Sequence, residues 1–235
     1  MLVVRHGLTQ WNTDQRWQGW ADIPLSDTGR RQAEVAAKSL STLLRGLHGD
    51  SYIRIASSDL KRAHATARAF ADELGTGEVV RIEALRERNV GEWAGLTSRE
   101  INLRWPGVLD RWRNGEHVPL PGGEDEAGFR ERIFGALSHE TRRAAESGTP
   151  SVLVSHGGAI RTIEALLEIE ARHVANVGGR WFFWNGTSVV PGHEVDLLDD
   201  PAPLATRSAT ENGFSRGTRG GDGFEGHEQP AVTSL

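Results

Sequence analysis

Three segments of the chain repeat one pattern, in which a short apolar run precedes a polar loop and then residues at helical spacing. The apolar runs cover residues 2–4, 53–56 and 151–154, and β-branched residues are frequent in them. Continuous runs of this kind are typical of strands buried on both faces of a parallel sheet. The repeat therefore predicts an α/β domain in which strands and helices alternate along the chain.

Two long helices are predicted from apolar residues that recur every three or four positions. In the first helix, over residues 28–44, these are Ala33, Ala36, Ala37, Leu40 and Leu44. Ser26 or Asp27 is expected to cap it. A second helix is predicted to begin near Glu124, and its apolar stripe consists of Phe129, Ile133 and Leu137. Amphipathic helices of this length are expected to pack on the sheet.

The remaining chain divides into further strands, an insertion and a tail. Strands are predicted over residues 78–82 and 178–184, and a terminal strand over 186–190. Residues 91–114 are rich in tryptophan, arginine and glycine, which favours a small lid insertion of loop and helix over one end of the sheet. From about Pro201 the composition shifts to small and polar residues that cannot bury enough surface to offset their ordering entropy. The predicted domain spans 1–198, and residues 199–235 are expected to form a disordered tail.

Composition limits the function classes. The 235 residues include no cysteine, which excludes disulfide scaffolds, thiol catalysis and cysteine-based zinc sites. A net charge of −5 argues against nucleic-acid binding, because a phosphate backbone is bound by a basic face. No apolar run approaches the length of a membrane span, and the chain opens on LVVRHG without the features of a signal peptide. The prediction is a cytoplasmic protein with no nucleic-acid or membrane partner.

Histidines and arginines fall at the ends of the predicted strands. Arg5 and His6 follow the first strand, Arg62 lies in the helical turn after the second, and His156 follows the strand at 151–154. In a parallel sheet these positions meet at the edge where α/β proteins bind ligands. Backbone N–H groups at Gly7, at Gly157 and at the helix starts are expected to add positive potential. The pattern favours an anion, and arginine forks suit phosphate.

The same residues also allow other interpretations. Each histidine alone is more often an ordinary loop residue, and only the combination points to a site. His6 and His156 could ligate zinc, but Arg5 and Arg62 would repel a cation, and no H-x-x-x-H or H-E-x-x-H spacing occurs. The sequence also lacks the G-x-x-x-x-G-K-[ST] loop of nucleotide-binding proteins. We therefore expect neither a metal nor a cofactor.

Several separated motifs resemble the histidine phosphatases of the phosphoglycerate mutase superfamily. They are RHGLTQWN, QGWADIPLSDTGRRQA, SSDLKRAHATA, LRERNVGEWAGLT, PGGE and VLVSHGG, in the order of that family. The resemblance covers residues 2–190 and is strongest to the phosphatase branch, including actinobacterial members. It implies a three-layer α/β/α sandwich with a mostly parallel central sheet, and it is compatible with a homodimer. The chain departs from the family at Leu8 and at Asp59.

The resemblance also implies roles for individual residues. His6 would be the nucleophile that accepts the phosphoryl group, and Glu87 would be the proton donor. The transferring oxygens would be held by Arg5, Arg62 and His156. Further substrate contacts would come from Asn12, Gln18, Gly19 and Gly157. On its own, Glu87 would be taken for a solvated helix charge.

The choice between hydrolase and mutase depends on the segment after Glu87. Cofactor-dependent mutases carry a tyrosine there, with a lysine and paired arginines further on, whereas here the only tyrosine is Tyr52 and no lysine follows Lys61. Val90 and Trp93 give the apolar version of the segment that is typical of phosphatases. We therefore predict a phosphatase for a small phosphorylated metabolite, with phosphoglycerate mutase-type transfer as the alternative. A non-catalytic binding protein is less favoured, because no catalytic position of the motif is replaced.

Six tryptophans flank the motifs, and they are Trp11, Trp17, Trp20, Trp93, Trp105 and Trp112. A sugar or aromatic group of the substrate could stack on one of them. Packing of the core or lid is the alternative for most of them.

Overall fold

A computed structural model describes residues 1–114, 116, 118–170 and 173–199. Its centre is a six-stranded sheet in the order β3-β2-β4-β1-β5-β6. The strands are β1 (Leu2–Arg5), β2 (Arg54–Ser57), β3 (Val79–Arg81), β4 (Ser151–Ser155), β5 (Gly178–Trp184) and β6 (Val189–Asp196). The first four are mutually parallel, while β5 and β6 run antiparallel to their neighbours. The predicted, mostly parallel sheet is confirmed.

Strand register brings the carboxyl ends of the three central strands to one edge. Arg5 of β1 lies beside Ser155 of β4, and Ser57 of β2 lies beside Val154 of the same strand. The next residue after each strand therefore leaves the sheet at nearly the same level. This register positions the loops that carry the histidines and arginines.

Helices cover both faces of the sheet, which gives the predicted three layers. They are α1 (Gln10–Thr13), α2 (Asp27–His48), α3 (Lys61–Leu74), α4 (Ser98–Arg104), α5 (Val108–Arg113), α6 (Glu126–Ser147) and α7 (Gly157–Leu166). On one face, Leu40 of α2 and Phe70 of α3 belong to the same buried cluster as Ile55 of β2. On the other face, Ile133 of α6 and Ile160 of α7 pack with Leu153 of β4. Apolar burial on both faces accounts for the continuous apolar strands.

The two predicted long helices are present, with small differences at their ends. All five apolar residues predicted for α2 are buried, and Ser26 caps the helix by accepting from Gly29 N at 3.0 Å. Phe129, Ile133 and Leu137 are buried in α6 as predicted. This helix begins at Glu126, because Asp125 accepts from Gly128 N at 3.0 Å and acts as the cap.

The terminal strand was predicted in the wrong place. It spans Val189–Asp196 rather than 186–190, because Asn185 Oδ1 accepts from the backbone N–H groups of Thr187 and Ser188 and holds them in a turn. As the edge strand, β6 leaves many residues exposed. It therefore lacks the apolar run that marks a central strand.

The predicted insertion forms an apolar cluster that we call the tryptophan cap. Its members are Trp17, Val90, Trp93, Ala94, Leu96, Ile101, Trp105, Val108, Leu109, Trp112 and Leu120. The Trp17 ring meets Trp93 and Trp112 edge to face, with centroids 5.4 and 5.2 Å apart. Packing is thus the role that the structure gives most of these tryptophans.

Two further predictions concern the C-terminal tail and membrane-spanning helices. The predicted tail lies outside the described residues from position 200 onward. Among the helices that are described, none has the length and apolar character needed to cross a bilayer.

Candidate active site

The two histidines and Arg62 meet at the carboxyl edge of the sheet. The rings of His6 and His156 lie edge to face with centroids 5.2 Å apart, and Arg62 Nε lies 3.2 Å from His6 Nε2. All three residues are almost fully buried, with 3%, 1% and 1% of their surfaces exposed for His6, His156 and Arg62. The structure therefore brings together residues that lie up to 150 positions apart, as the parallel-sheet argument predicts.

The hydrogen bonds of His6 define which of its nitrogens can react. Its Nδ1 lies 2.7 Å from the carbonyl oxygen of Gly7, so the network assigns the ring proton to Nδ1. Arg62 Nε can then donate to the lone pair of Nε2. The unprotonated Nε2 is thus the nitrogen that can bond to phosphorus once Arg62 Nε releases its lone pair.

Burial keeps both histidines neutral. The pKa of His6 lies well below its ordinary value, first because of burial, then because of the positive charges of Arg62 and Arg5, with the Gly7 hydrogen bond opposing. The pKa of His156 is lowered in the same direction by burial, Arg62, His6, Arg5 and Arg132. A neutral imidazole is the form that a nucleophilic histidine requires.

Arg62 is fixed by the loop that includes Gln18 and Gly19. Its two terminal nitrogens donate to Ala21 O at 2.7 Å and to Gly19 O at 2.8 Å. Burial lowers the pKa of Arg62 to about 10, with Glu87 and Asp22 opposing, so it remains charged at neutral pH. Gly19 has φ +50, and a Cβ there would lie 2.6 Å from Val90 Cγ2, so only glycine fits.

Glu87 reaches the site from the loop that follows a 3-10 turn at Glu83–Leu85. Its Oε2 accepts from Gly158 N at 2.8 Å, and its Oε1 accepts from Arg88 N at 2.9 Å. A Cβ at position 158 would lie 2.4 Å from Glu87 Oε1, so glycine is needed for this approach. The carboxylate thus lies against the second residue of α7, at the N-terminal end of that helix.

Several buried polar atoms at this site have no partner among the described residues. They are Arg5 Nε, both ring nitrogens of His156, and Gln18 Oε1. Buried polar groups are usually paired, so a cluster of unpaired ones calls for an explanation. Arginine and histidine atoms of this kind are suited to a tetrahedral oxyanion, which would complete their hydrogen bonds.

The expectation that backbone N–H groups face an anion is wrong for Gly7 and for Gly158 at the start of α7. Gly7 N donates to Thr66 Oγ1 at 3.0 Å, and Gly158 N donates to Glu87, so these two N–H groups are already occupied. Arg5 is likewise partly committed, since its NH1 donates to Val174 O at 2.7 Å. The polar atoms left for an anion are therefore mostly on side chains.

A cavity of about 610 Å³ extends outward from the histidine-arginine cluster. Asn12, Gln18, Gly19 and Gly157 line it together with Arg5, His6, Arg62 and Glu87. The tryptophan cap supplies an apolar wall through Trp17, Val90, Trp93, Trp112 and Leu120. His156, which is 1% exposed, is not among the lining residues.

Some residues that build the site could not be recognised in the sequence. Asn176 Nδ2 donates to His6 O at 2.9 Å from a loop 170 positions away. Thr66, in the second turn of α3, accepts a hydrogen bond from Gly7 N. Neither residue stands in a local pattern that marks it as functional. Among the described residues, no group of three or more histidine or acidic side chains is arranged to hold a metal.

A mostly parallel α/β sandwich with histidines and arginines gathered at its strand ends defines a phosphoryl-handling class of protein. A family model described as the histidine phosphatase superfamily, branch 1, matches residues 1–179, and the chain belongs to that superfamily. It is accordingly an enzyme of the phosphomonoesterase type. The resemblance found in the motifs is thereby confirmed.

Named relatives fall on both sides of the phosphatase and mutase division. A glucosyl-3-phosphoglycerate phosphatase of Mycolicibacterium vanbaalenii is 38% identical over 174 residues, which cover 71% of this chain and 73% of the relative. Phosphoglycerate mutase-like protein 4 of Arabidopsis thaliana is 33% identical over 180 residues, covering 75% and 74%. The solved structure of a mycobacterial glucosyl-3-phosphoglycerate phosphatase with VO3 matches with a TM-score of 0.66 and 30% identity, over 81% of this chain and 95% of that one.

Proposed function

We propose that this enzyme hydrolyses small phosphomonoesters, of phosphosugar or phosphoglycerate type, through a phosphohistidine on His6. The observation that carries the proposal is the neutral Nε2 of His6, which lies within 3.2 Å of Arg62 Nε and beside the unpaired atoms of Arg5 and His156. The names of the phosphatase relatives support the same substrate class.

In the first step, Nε2 of His6 bonds to phosphorus while the bond from phosphorus to the ester oxygen breaks. The proton of the Glu87 carboxyl group passes to the leaving oxygen, which departs as an alcohol. The arginines and His156 hold the three remaining phosphoryl oxygens, where charge is spread in the transition state. In the second step, Glu87 takes a proton from water, the water oxygen bonds to phosphorus, and phosphate leaves His6.

The apolar wall beside Glu87 supports hydrolysis over mutase-type transfer. Val90 and Trp93 are buried in the tryptophan cap and occupy the segment in which the mutase pattern carries a tyrosine, ahead of the lysine and paired arginines that grip the substrate's second charge. Mutase-type transfer remains the second candidate, because a mutase-like protein is among the relatives. Independence from metals, a cytoplasmic location and a homodimer are further parts of the proposal, and the charge of Arg5 and Arg62 supports the first.

The test measures phosphate release from nitrophenyl phosphate and from phosphoglycerates, with and without a chelator. We expect turnover that a chelator does not reduce and that vanadate inhibits, since the pocket is organised for a five-coordinate phosphorus. Inhibition by chelator that a divalent metal reverses would contradict the mechanism. Interconversion of phosphoglycerate isomers faster than phosphate release would favour the mutase.

A further inference from the structure

The segment that carries Glu87 lacks regular structure around the carboxylate. We call residues 84–89 the acid loop; a 3-10 turn ends at Leu85, and residues 86–89 belong to no helix or strand. Backbone without a helix or a strand ladder has to be held by other contacts if its side chain is to stay within a fraction of an ångström of its place. Trp20 Nε1 donates to Glu87 O at 2.7 Å and Ser155 Oγ donates to Leu85 O at 2.8 Å, and one ion pair adds contacts on both sides of Glu87.

Arg132, on α6, donates to three backbone carbonyl groups of the acid loop. Its NH1 lies 2.8 Å from Ala84 O and 3.1 Å from Arg86 O, and its NH2 lies 3.3 Å from Glu87 O. A planar guanidinium with five N–H donors can span these acceptors, whereas a single ammonium group cannot. Arg132 therefore holds the loop from its carbonyl side.

Glu124 holds both Arg132 and the other end of the loop. Its two oxygens lie 2.8 Å from Arg132 Nε and 2.8 Å from Arg132 NH2. Its Oε2 also accepts from Asn89 N at 3.3 Å, and its backbone N–H donates to Asn89 O at 2.9 Å. The pair thus contacts the backbone on both sides of Glu87, and its side chains are only 20% and 17% exposed.

We infer that Arg132 and Glu124 are positioning residues that fix the acid loop so that Glu87 can protonate the leaving oxygen. Neither residue lines the cavity, so they act on the reaction through the loop that carries Glu87 and, for Arg132, through the charge that lowers the pKa of His156. This inference rests on the role proposed for Glu87. A misplacement of a catalytic group by about 1 Å can cost about 100-fold in rate, so loss of the pair should slow the reaction well before it unfolds the domain.

The same helix offers a matched control. Arg54 NH1 and Glu140 Oε2 form a 2.6 Å ion pair whose side chains are 15% and 6% exposed, and Glu140 lies two turns of α6 beyond Arg132. This pair joins α6 to β2, and none of its hydrogen bonds within the described chain reaches the acid loop. Substitutions in the two pairs should therefore cost similar stability but differ in their effect on proton transfer.

The experiment compares kcat/KM for glycerol phosphate and for nitrophenyl phosphate in Arg132→Lys and Arg54→Lys. Lysine keeps the positive charge that lowers the pKa of His156, so the substitution alters position more than charge. For Arg132→Lys we expect a loss of about 10-fold to 100-fold with the alkyl ester and of about 3-fold or less with the aryl ester, whose leaving group needs little protonation. For Arg54→Lys we expect equal changes with both esters.

A second pair of variants, Glu124→Gln and Glu140→Gln, covers the case in which Arg132→Lys does not fold. Glu124→Gln should show the same preference for the aryl ester, and Glu140→Gln should not. Equal slowing of both esters in the Arg132 and Glu124 variants, or the same preference in the controls, would overturn the inference. Glu87→Gln, measured in parallel, separates the two levels: if it shows no preference between the esters, the acid role itself fails and not only its positioning.

Discussion

The histidine-arginine cluster and the tryptophan cap line the same cavity, but the first consists of buried polar groups and the second of packed apolar side chains. In the cluster, Arg5 and His156 keep buried polar atoms without partners, which costs stability in the free enzyme. In the cap, Trp93 is fully buried and its ring packs edge to face against Trp17, so apolar contact dominates although its Nε1 has no hydrogen-bond partner among the described residues. Apolar burial in the cap and in the clusters on the two faces of the sheet offsets the free-energy cost of a preorganised anion site. Substitutions in the two regions should therefore separate activity from stability.

The largest effect is expected for His6→Ala, which removes the nucleophile. Turnover should fall by more than about 10³-fold, because the nucleophile is removed and His156, the other neutral imidazole near Arg62, does not line the cavity. The melting temperature should move by only a few degrees, since His6 adds little apolar packing to either core. Phosphate-release assays and thermal unfolding on the same preparation provide the measurement. A correctly folded variant that keeps more than a few per cent of activity would exclude the phosphohistidine.

Glu87→Gln should have the next largest effect, because it removes the proton cycle and keeps the side-chain shape. The kcat for alkyl phosphates should fall by roughly 10²- to 10⁴-fold, with a smaller effect on phosphorylation by nitrophenyl phosphate. Rapid-quench rates for the two esters test this. Equal slowing would assign Glu87 to shaping the pocket only. Asp22 and Glu124 would be the other acidic side chains to consider as the proton donor. Both are already engaged, because Asp22 accepts from Lys61 N and Glu124 is bound to Arg132.

Trp93→Ala should show the reverse behaviour to His6→Ala. Removing a fully buried tryptophan typically costs about 3–5 kcal/mol of unfolding free energy, so the cap should loosen or the domain should melt earlier. The kcat for nitrophenyl phosphate should fall by no more than about tenfold, because the cap does not touch the transferring phosphoryl group. Denaturant unfolding with parallel kinetics tests the contrast. A change in kcat as large as that of Glu87→Gln would show that the two regions are not separable.

The smallest effect concerns pH and stability. The unfolded chain binds a proton on each histidine near the ordinary pKa of 6.5, but native His6 and His156 bind it only at much lower pH. Stability should therefore fall as the pH drops below about 6.5, by up to about 1.4 kcal/mol per pH unit for each histidine. His156→Asn should remove one such contribution. Urea unfolding between pH 5 and 7 in phosphate-free buffer measures it, and identical pH profiles for both proteins would contradict the burial argument.

The sequence predicted best what depends on local periodicity and on the geometry of parallel sheets. The spacing of Ala33, Leu40 and Leu44 defined α2, and the positions of His6, Arg62 and His156 after three strands were sufficient to bring them together. Such inferences succeed because a strand end fixes where the next residue lies.

What depends on long-range contacts was beyond the sequence. Glu87 was recognised only from its motif, because its place is held by Arg132 from 45 positions away. The use of Gly7 N by Thr66 and the turn that delays β6 also depend on contacts that no periodic pattern records. The sequence also could not predict that the ring nitrogens of His156 lack hydrogen-bond partners among the described residues, because no sequence pattern records a missing hydrogen bond.

The central claim, a phosphoryl group carried by His6, is tested most directly by trapping the intermediate. Wild-type and Glu87→Gln enzymes are mixed with nitrophenyl phosphate, quenched in denaturant at alkaline pH within milliseconds, and digested for mass spectrometry. We expect an acid-labile phosphate on the peptide that contains His6, with more of it in the Glu87→Gln variant if dephosphorylation becomes limiting. Turnover in these samples with no phosphate on that peptide, or with phosphate on a different residue, would contradict the account.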